Sequence, residues 1–583
     1  MSTVNQSIPL ISRIKSWEIT REYISGQSLI LVGCTLLLIY LTAIPLGTLL
    51  YGSILTLPIG EPENSFTVQN YIDAYIDKEL LPLLGNSLSF AIGSTLLAFL
   101  IGTYLAWINE RTNTPLKKVF MVVALIPFII PGVLNTIAWI LLLSPKIGLI
   151  NLGLKEIFNL QSSPLNIYSM WGMIWVEALH SYPLVFVLMS AAFRNMDTTL
   201  EEAALTSGSS TLATLRRITL PLMYPAALGV LLIKFVRGME GFEVPAFIGL
   251  PANIHVFTSK IYLATRQFPP AHGTAGAYAV ILLAISILGV FLYQKFTRGE
   301  QRYATVTGKG YRPRVIDLGH WKYVTFASAF VIFLLAVALP MLILLWASFI
   351  PYYGIPSAKL VASLTLDNYK YVLNYPTAVD AFRNSFYLSV GSATFVMLLT
   401  SLIAWITVKS KIPGRAILDT VAFIPIAVPG IVLGLSLLWF YLIVPIPIYG
   451  TIWILLLAYV TKYMPIGIRA SSASMIQIHK ELEEASFASG GSWLQTFGRV
   501  ILPLLMPGFI AGWIYISVIS LRELSTSILL YSHDTIVVSI LAFDLWDTGQ
   551  YNYVAALGII MVIVMIAMVY FARIVGGRIG IAE

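Results

Sequence analysis

EEAALTSGSSTLATLRRITLPLMYPA, Glu201 to Ala226, has a second copy in the same chain: EEASFASGGSWLQTFGRVILPLLMPG, Glu483 to Gly508. The two share one skeleton, E-A-[AS], three residues, Gly, nine residues, [IV]-x-L-P, and both run directly into an apolar segment. The flanking sequence matches as well. GNSLSFAIGSTLLAFLIGTYLAW (Gly85 to Trp107) pairs with RNSFYLSVGSATFVMLLTSLIAW (Arg383 to Trp405), and IPFIIPGV (Ile126 to Val133) pairs with IPIAVPGI (Ile424 to Ile431). Matching elements keep one order, so the chain carries a parallel internal repeat.

Hydrophobic residues make up 57% of the 583 and charged residues 11%, with a mean hydropathy of +0.82. A soluble domain carries roughly 25% charged residues, so this chain is built for lipid. A crossing needs about 20 mostly apolar residues. Such stretches recur near 29–50, 87–107, 119–143, 168–192, 220–250 and 274–296, and again near 324–350, 385–408, 418–444, 452–473, 502–530 and 554–575. The predicted fold is all-α and integral to a membrane, with about twelve transmembrane helices in two parallel six-helix repeats. The predicted organisation is a polar segment over 1–28, a first unit over 29–297 with the motif loop at 201–221, a basic linker over 298–321, and a second unit over 322–583 with its loop at 483–503.

Lys and Arg gather in alternate loops: at Arg111, Lys117 and Lys118, at Lys295, Arg298, Arg302, Lys309, Arg312 and Arg314, and at Lys409, Lys411 and Arg415. The positive-inside rule places those loops and both termini in the cytoplasm. The head before the first apolar run carries Arg13, Lys15 and Arg21, and no small-residue cleavage site follows that run, so it reads as a retained span. The net charge of +8 follows from these loops and calls for no nucleic-acid partner. Cys34 is the one cysteine, which excludes a disulfide framework and a Cys-based metal site.

Each motif copy falls between the fourth and fifth spans of its unit, on the side assigned to the cytoplasm. Glu202, Ala203 and Ala204 favour a helix, Gly208 can supply a left-handed turn, and Leu220-Pro221 opens the next span. Glu484, Ala485, Ser486, Gly490, Leu502 and Pro503 repeat the arrangement. The expected product is a compact knob, two short helices about a glycine turn, rigidly joined to two spans. Such a knob can pass a push from a soluble partner into the membrane.

On these residues the chain resembles the permeases of binding-protein-dependent ABC importers, as two fused permease units of the type I kind covering essentially the whole length. The resemblance implies that the two loops are ATPase-coupling helices. It also implies two copies of a cytoplasmic ABC ATPase, a periplasmic substrate-binding protein that carries the selectivity, and a place in the bacterial inner (cytoplasmic) membrane. The second copy departs with Ser486 for the second Ala and Val500 for Ile. The chain lacks a P-loop: TGKGYR at Thr307 has neither the upstream glycine spacing nor the Ser/Thr after Lys that cradle phosphate and Mg²⁺. ATP and Mg²⁺ are therefore expected on the partner ATPase, with no cofactor in this chain and no enzymatic role for it. Two fused units with FVRGMEGFEVPAFIGLP (Phe235 to Pro251) and SLRELSTSILLY (Ser520 to Tyr531) are similar to the ferric-iron permease subfamily. Thiamine permeases share the R-E-L-S segment, and phosphonates, phosphorylated sugars and polyamines are further alternatives for the cargo.

An ionisable residue near the centre of a span costs about 2.5–3.5 kcal/mol on insertion scales and usually faces an interior. Arg237, Glu240 and Glu243 lie three apart, as on one face of the fifth span, and Arg522 and Glu523 occupy the matching part of the eleventh. With Glu177 they are candidates to line a translocation path. The competing reading makes them structural pairs, Arg237 with Glu240 and Arg522 with a carboxylate of the other half. Glu177 and His180, one turn apart, could ligate iron but lack a third ligand. The twin prolines of the two IP…PG stretches should break or kink their helices, either for packing or to line a pore. An ion-coupled secondary transporter would also show the spans and the repeat, but has no need of two matched knobs. A membrane enzyme would need clustered catalytic groups, and His255 and His272, in one outer loop, have no partner motif.

Overall fold

The structure, a computed structural model, describes residues 28–76, 80–196, 199–297 and 315–578. Arg13, Lys15 and Arg21 of the polar head, and Arg298, Arg302, Lys309, Arg312 and Arg314 of the linker, lie outside the described residues. Among the described residues the chain is helical, with two isolated bridges, Leu55 to Phe66 and Thr112 to Ile316, and no sheet.

Ten unbroken helices are long and apolar enough to cross a membrane, and two bent pairs bring the count to twelve when each is taken as one span. The first unit holds Ser28–Ser53, Leu80–Arg111, the pair Lys117–Phe128 with Gly132–Leu143, Met170–Asn195, Leu215–Glu240 and His272–Phe296. The second repeats the series with Trp321–Phe349, Pro376–Lys409, the pair Arg415–Ala427 with Gly430–Ile443, Ile452–Gln477, Trp493–Leu521 and Tyr551–Phe571. In this order they are the first to twelfth spans.

Both breaks fall on the twin prolines, which have no N–H to donate and clash with the preceding turn. Pro131 sits at φ −57°, ψ 139° and Pro429 at φ −57°, ψ 142°, each just ahead of a fresh helix. The chain bends by 97° in the first half and 108° in the second. What the sequence reads as a break or a kink is a near right-angle break, twice.

Two predicted spans are too long. The fifth helix ends at Glu240, where Gly241 turns to ψ 125°, and the eleventh ends at Leu521. The apolar residues that follow each end belong to short turns, Pro245–Gly249 in one half and Ser527–Leu529 in the other. Each half then adds a short helix ahead of its last span, Phe257–Arg266 and Val538–Asp547. These two helices are invisible to a hydropathy window because they are too short to cross.

The halves are joined by exchange. The first span packs on Gly430–Ile443 of the second unit, where the Tyr40 and Tyr441 hydroxyls meet at 2.8 Å. The seventh span packs on Gly132–Leu143 of the first unit, and the Tyr353 hydroxyl, just beyond it, donates to the Leu141 carbonyl at 2.6 Å. The sixth and twelfth spans cross in the same way. A Cβ on Gly276 would come within 2.8 Å of the Trp439 ring, and one on Gly558 within 2.6 Å of the Leu134 side chain. Small residues at membrane-helix contacts permit this close approach, and one buried cluster runs through both units.

Candidate functional site

The two knobs form as the motif predicts, with nearly the same backbone. Thr199–Thr206 and Lys480–Ala488 are the first helices. Gly208 at φ +85° and Gly490 at φ +82° make the left-handed turns. The backbone N–H of Ser209 closes on the Ala204 carbonyl at 3.0 Å and that of Gly491 on the Ser486 carbonyl at 2.9 Å. Glu202, Ala203, Glu484 and Ala485 are exposed, Ala204 and Ser486 are half-buried, and Leu220-Pro221 and Leu502-Pro503 open the fifth and eleventh helices proper. Ser486 replaces an alanine and uses its hydroxyl, which meets Thr496 Oγ1 at 2.9 Å and ties the two short helices together.

The glutamate before each motif glutamate anchors the knob, a role the sequence reading missed. Glu201 is buried; it accepts from Arg111 Nη2 at 2.5 Å and from Thr219 Oγ1 at 2.5 Å. Arg111 is the last residue of the second span and Thr219 opens into the fifth, so one carboxylate fixes the knob to both. Glu483 is buried likewise but accepts from the Trp405 indole N–H at 3.1 Å. Trp405 stacks on Trp493 and Phe497, with ring centroids 4.3 and 5.0 Å away. The matched knobs are thus pinned by an ion pair in one half and by an aromatic stack in the other. The repeat itself carries a signal for this: Trp107 and Trp405 match, but only Trp405 has aromatic residues at the second short helix of its knob to stack on.

Four of the six candidate path residues, Glu177, Arg237, Glu240 and Glu243, line a cavity of about 250 Å³ between the halves, together with His180 of the first unit and Lys462 and Ser525 of the second. Most of the charge is paired. Arg237 Nη1 meets Glu240 Oε2 at 3.3 Å, as in the structural-pair reading. Lys234, buried in the fifth span, holds Glu177 at 2.9 Å. Glu523 accepts from Lys462 Nζ at 2.6 Å, from the Tyr463 hydroxyl at 2.6 Å and from the Thr526 N–H at 2.9 Å.

Three expectations about these residues are corrected. Glu243 does not share a helical face with Arg237 and Glu240, because the helix ends at Glu240; the turn at Gly241 carries Glu243 over Gly132 instead. Arg522 and Glu523 lie past the end of the eleventh helix, not inside it. Among the described residues Arg522 forms no close salt bridge with a carboxylate of the other half, although its charge acts on Glu243 of the first unit; its Nη1 donates to the Ile130 carbonyl at 3.2 Å, beside the broken span of that unit. Lys234, Lys462 and Tyr463 were not singled out in the sequence, since one cation in a strongly apolar run barely changes its hydropathy. Among the described residues no group of three His, Cys, Asp or Glu side chains is placed to hold a metal ion.

Comparison with known proteins gives the same repeat. The family model described as the binding-protein-dependent transport system inner membrane component matches residues 83–302 and again residues 396–581, together more than half of the chain. The ferric transport system permease protein of Actinobacillus pleuropneumoniae is 28% identical over 420 residues, which cover 70% of this chain and 58% of that protein. The Fe(3+)-transport system permease protein of Haemophilus influenzae is 25% identical over 473 residues, 80% of this chain and 85% of that protein. The molybdenum transport system permease protein of Haemophilus influenzae is 29% identical over 220 residues, matching 37% of this chain and 93% of its own length. A single-unit relative thus spans about one of the two halves. The chain belongs to the family of binding-protein-dependent transport system inner membrane components, with the family unit present twice.

Proposed function

We propose that this chain is the membrane channel of an ATP-driven importer of ferric iron, supplying both transmembrane halves itself. Iron reaches it on a periplasmic binding protein, and two cytoplasmic ATPase subunits dock on the knobs at Glu202 and Glu484. This arrangement sets both termini in the cytoplasm of a bacterium whose inner membrane holds the complex. The observation that carries the reading is the pair of matched, exposed knobs, each rigidly continuous with a long span.

The fifth helix runs unbroken from Leu215 to Glu240, about 39 Å at 1.5 Å per residue. One end is the knob and the other is the Arg237–Glu240 pair at the cavity. When ATP closes the ATPase pair, the knobs move together, and the fifth and eleventh helices carry that displacement to the cavity between the halves. Glu201 and Glu483 keep each knob from pivoting freely on its span. The similarity to ferric permeases over 70–80% of the chain supports iron over thiamine, a phosphonate, a phosphorylated sugar or a polyamine.

The test is uptake of labelled ferric iron and of labelled thiamine by cells expressing the chain with its ATPase and binding protein. Iron uptake that stops with a hydrolysis-dead ATPase supports the reading. Thiamine uptake with the same dependence replaces the cargo, and uptake that ignores the ATPase rejects the class.

A further inference from the structure

The third and seventh spans both end on the membrane face opposite the knobs. Arg111 closes the second span against Glu201 of a knob, so the third span starts on that face and Leu143 lies at its far end. The seventh span starts on the same face, where the Thr114 and Thr325 hydroxyls meet at 2.7 Å, and Phe349 is its far end. Between these two far ends lies an open cleft of about 440 Å³ whose every lining residue is apolar. Leu142 and Leu149 come from the first unit, and Leu342, Trp346, Phe349 and Leu364 are among those from the second. The cleft is therefore a seam between the units.

Its walls are fixed by hydrogen bonds. Asn151, buried, donates to the Leu143 and Leu165 carbonyls, each at 2.8 Å, which fastens the short helix Leu149–Phe158 beside the end of the third span. The Trp346 indole N–H donates to the Gly354 carbonyl at 3.2 Å and holds the following loop on the seventh span. Leu339–Phe349 packs on the third and twelfth spans, while Leu342, Leu345 and Leu364 remain exposed, so the cleft opens outward to the bilayer. Water finds no polar partner in such a space. An empty cleft forfeits dispersion contacts along its lining, and a lipid acyl chain restores them.

A lysine stands on each side. Lys146 lies between the lining residues Leu142 and Leu149, and Lys359 lies between Pro356 and Leu364. Both are exposed just beyond the end of a span, and neither side chain makes an ion pair among the described residues. Lysines beside membrane helices attract anionic headgroups.

We propose that this seam is a phospholipid site. One acyl chain lies along Leu142, Leu342 and Trp346, and a net-anionic headgroup of the phosphatidylglycerol type sits at Lys146 and Lys359. Filling the seam strengthens the contact that the seventh span makes with the first unit. In the second unit residues 444–451 make the corresponding connection without a helix, so the site occurs once per chain.

The test is native mass spectrometry of the full chain in detergent, stripped of lipid and titrated with phosphatidylglycerol and, separately, with phosphatidylcholine. Wild type is expected to retain one phosphatidylglycerol and to melt at a higher temperature with it, as a ligand of the folded state must cause. Leu342→Trp fills the cleft from an exposed position and is expected to abolish both effects, whereas Val331→Trp, exposed on the same span but outside the cleft, keeps them. Lys146→Gln and Lys359→Gln, both on the surface, are each expected to lower the preference for phosphatidylglycerol over phosphatidylcholine roughly fivefold. Phosphatidylglycerol retained equally by wild type and Leu342→Trp overturns the site. Equal retention of the two lipids by wild type overturns the anionic headgroup and with it the proposal.

Discussion

Glu201 and Glu483 occupy the same place in the two knobs and are held by different means, Glu201 by an ion pair and a hydroxyl, Glu483 by one indole N–H at Oε2 while its Oε1 is left without a partner. Removing the charge from Glu201 leaves the Arg111 guanidinium buried, with Nη1 already lacking a partner. Breaking a buried pair in this way costs about 3–5 kcal/mol. Glu201→Gln should therefore lower the melting temperature of the purified protein clearly. Glu483→Gln keeps an oxygen for the Trp405 indole and should stay within about 1 kcal/mol of wild type. Equal losses in the two variants would count against the anchoring described here. The motif glutamates were legible in the sequence as a pattern, but which of two adjacent carboxylates points inward was not. A helix of 8 or 9 residues offers too few turns for periodicity to decide, and Arg111 is far away in sequence. The same limit hid Lys234 and Lys462, whose partners are set by packing between spans.

Gly208 and Gly490 are the elements' hinges, and their surroundings are open, so a side chain there meets no neighbour. The obstacle is the backbone alone: a left-handed residue other than glycine costs roughly 1–2 kcal/mol, and asparagine is the one that visits this region readily. Gly208→Val should reduce uptake strongly at normal membrane levels of the protein, whereas Gly208→Asn should retain most of it, as read by uptake alongside immunoblotting. If valine and asparagine behave alike, the turn geometry is not what the knob requires. The spans and both breaks were readable from hydropathy and proline. The ends of the fifth and eleventh helices were not, because Phe242, Val244 and Ile528 continue the apolar run after the helix has stopped. Glu243 was misplaced for that reason, and its position over Gly132 follows only from the turn at Gly241.

The two units are linked by one chain but held together by packing, since the first and seventh spans each lie on the other unit. A chain cut within 298–314 and expressed as two pieces together should therefore still transport, while either piece alone, with its apolar crossing surface uncovered, should accumulate poorly. Loss of uptake from co-expressed pieces that both reach the membrane would show that the linker itself is required. The exchange was not legible in the repeat, which reports similarity between halves and nothing of how they meet. In the proposed function, force passed through the knobs ties the residues, helices and halves into one machine. The most direct measurement is ATP hydrolysis and iron uptake in the same proteoliposomes, comparing wild type with Gly208→Val/Gly490→Val in the complete complex. The account predicts that the variant retains its ATPase and continues to hydrolyse ATP while uptake falls to background; wild-type uptake per ATP in the variant would contradict it.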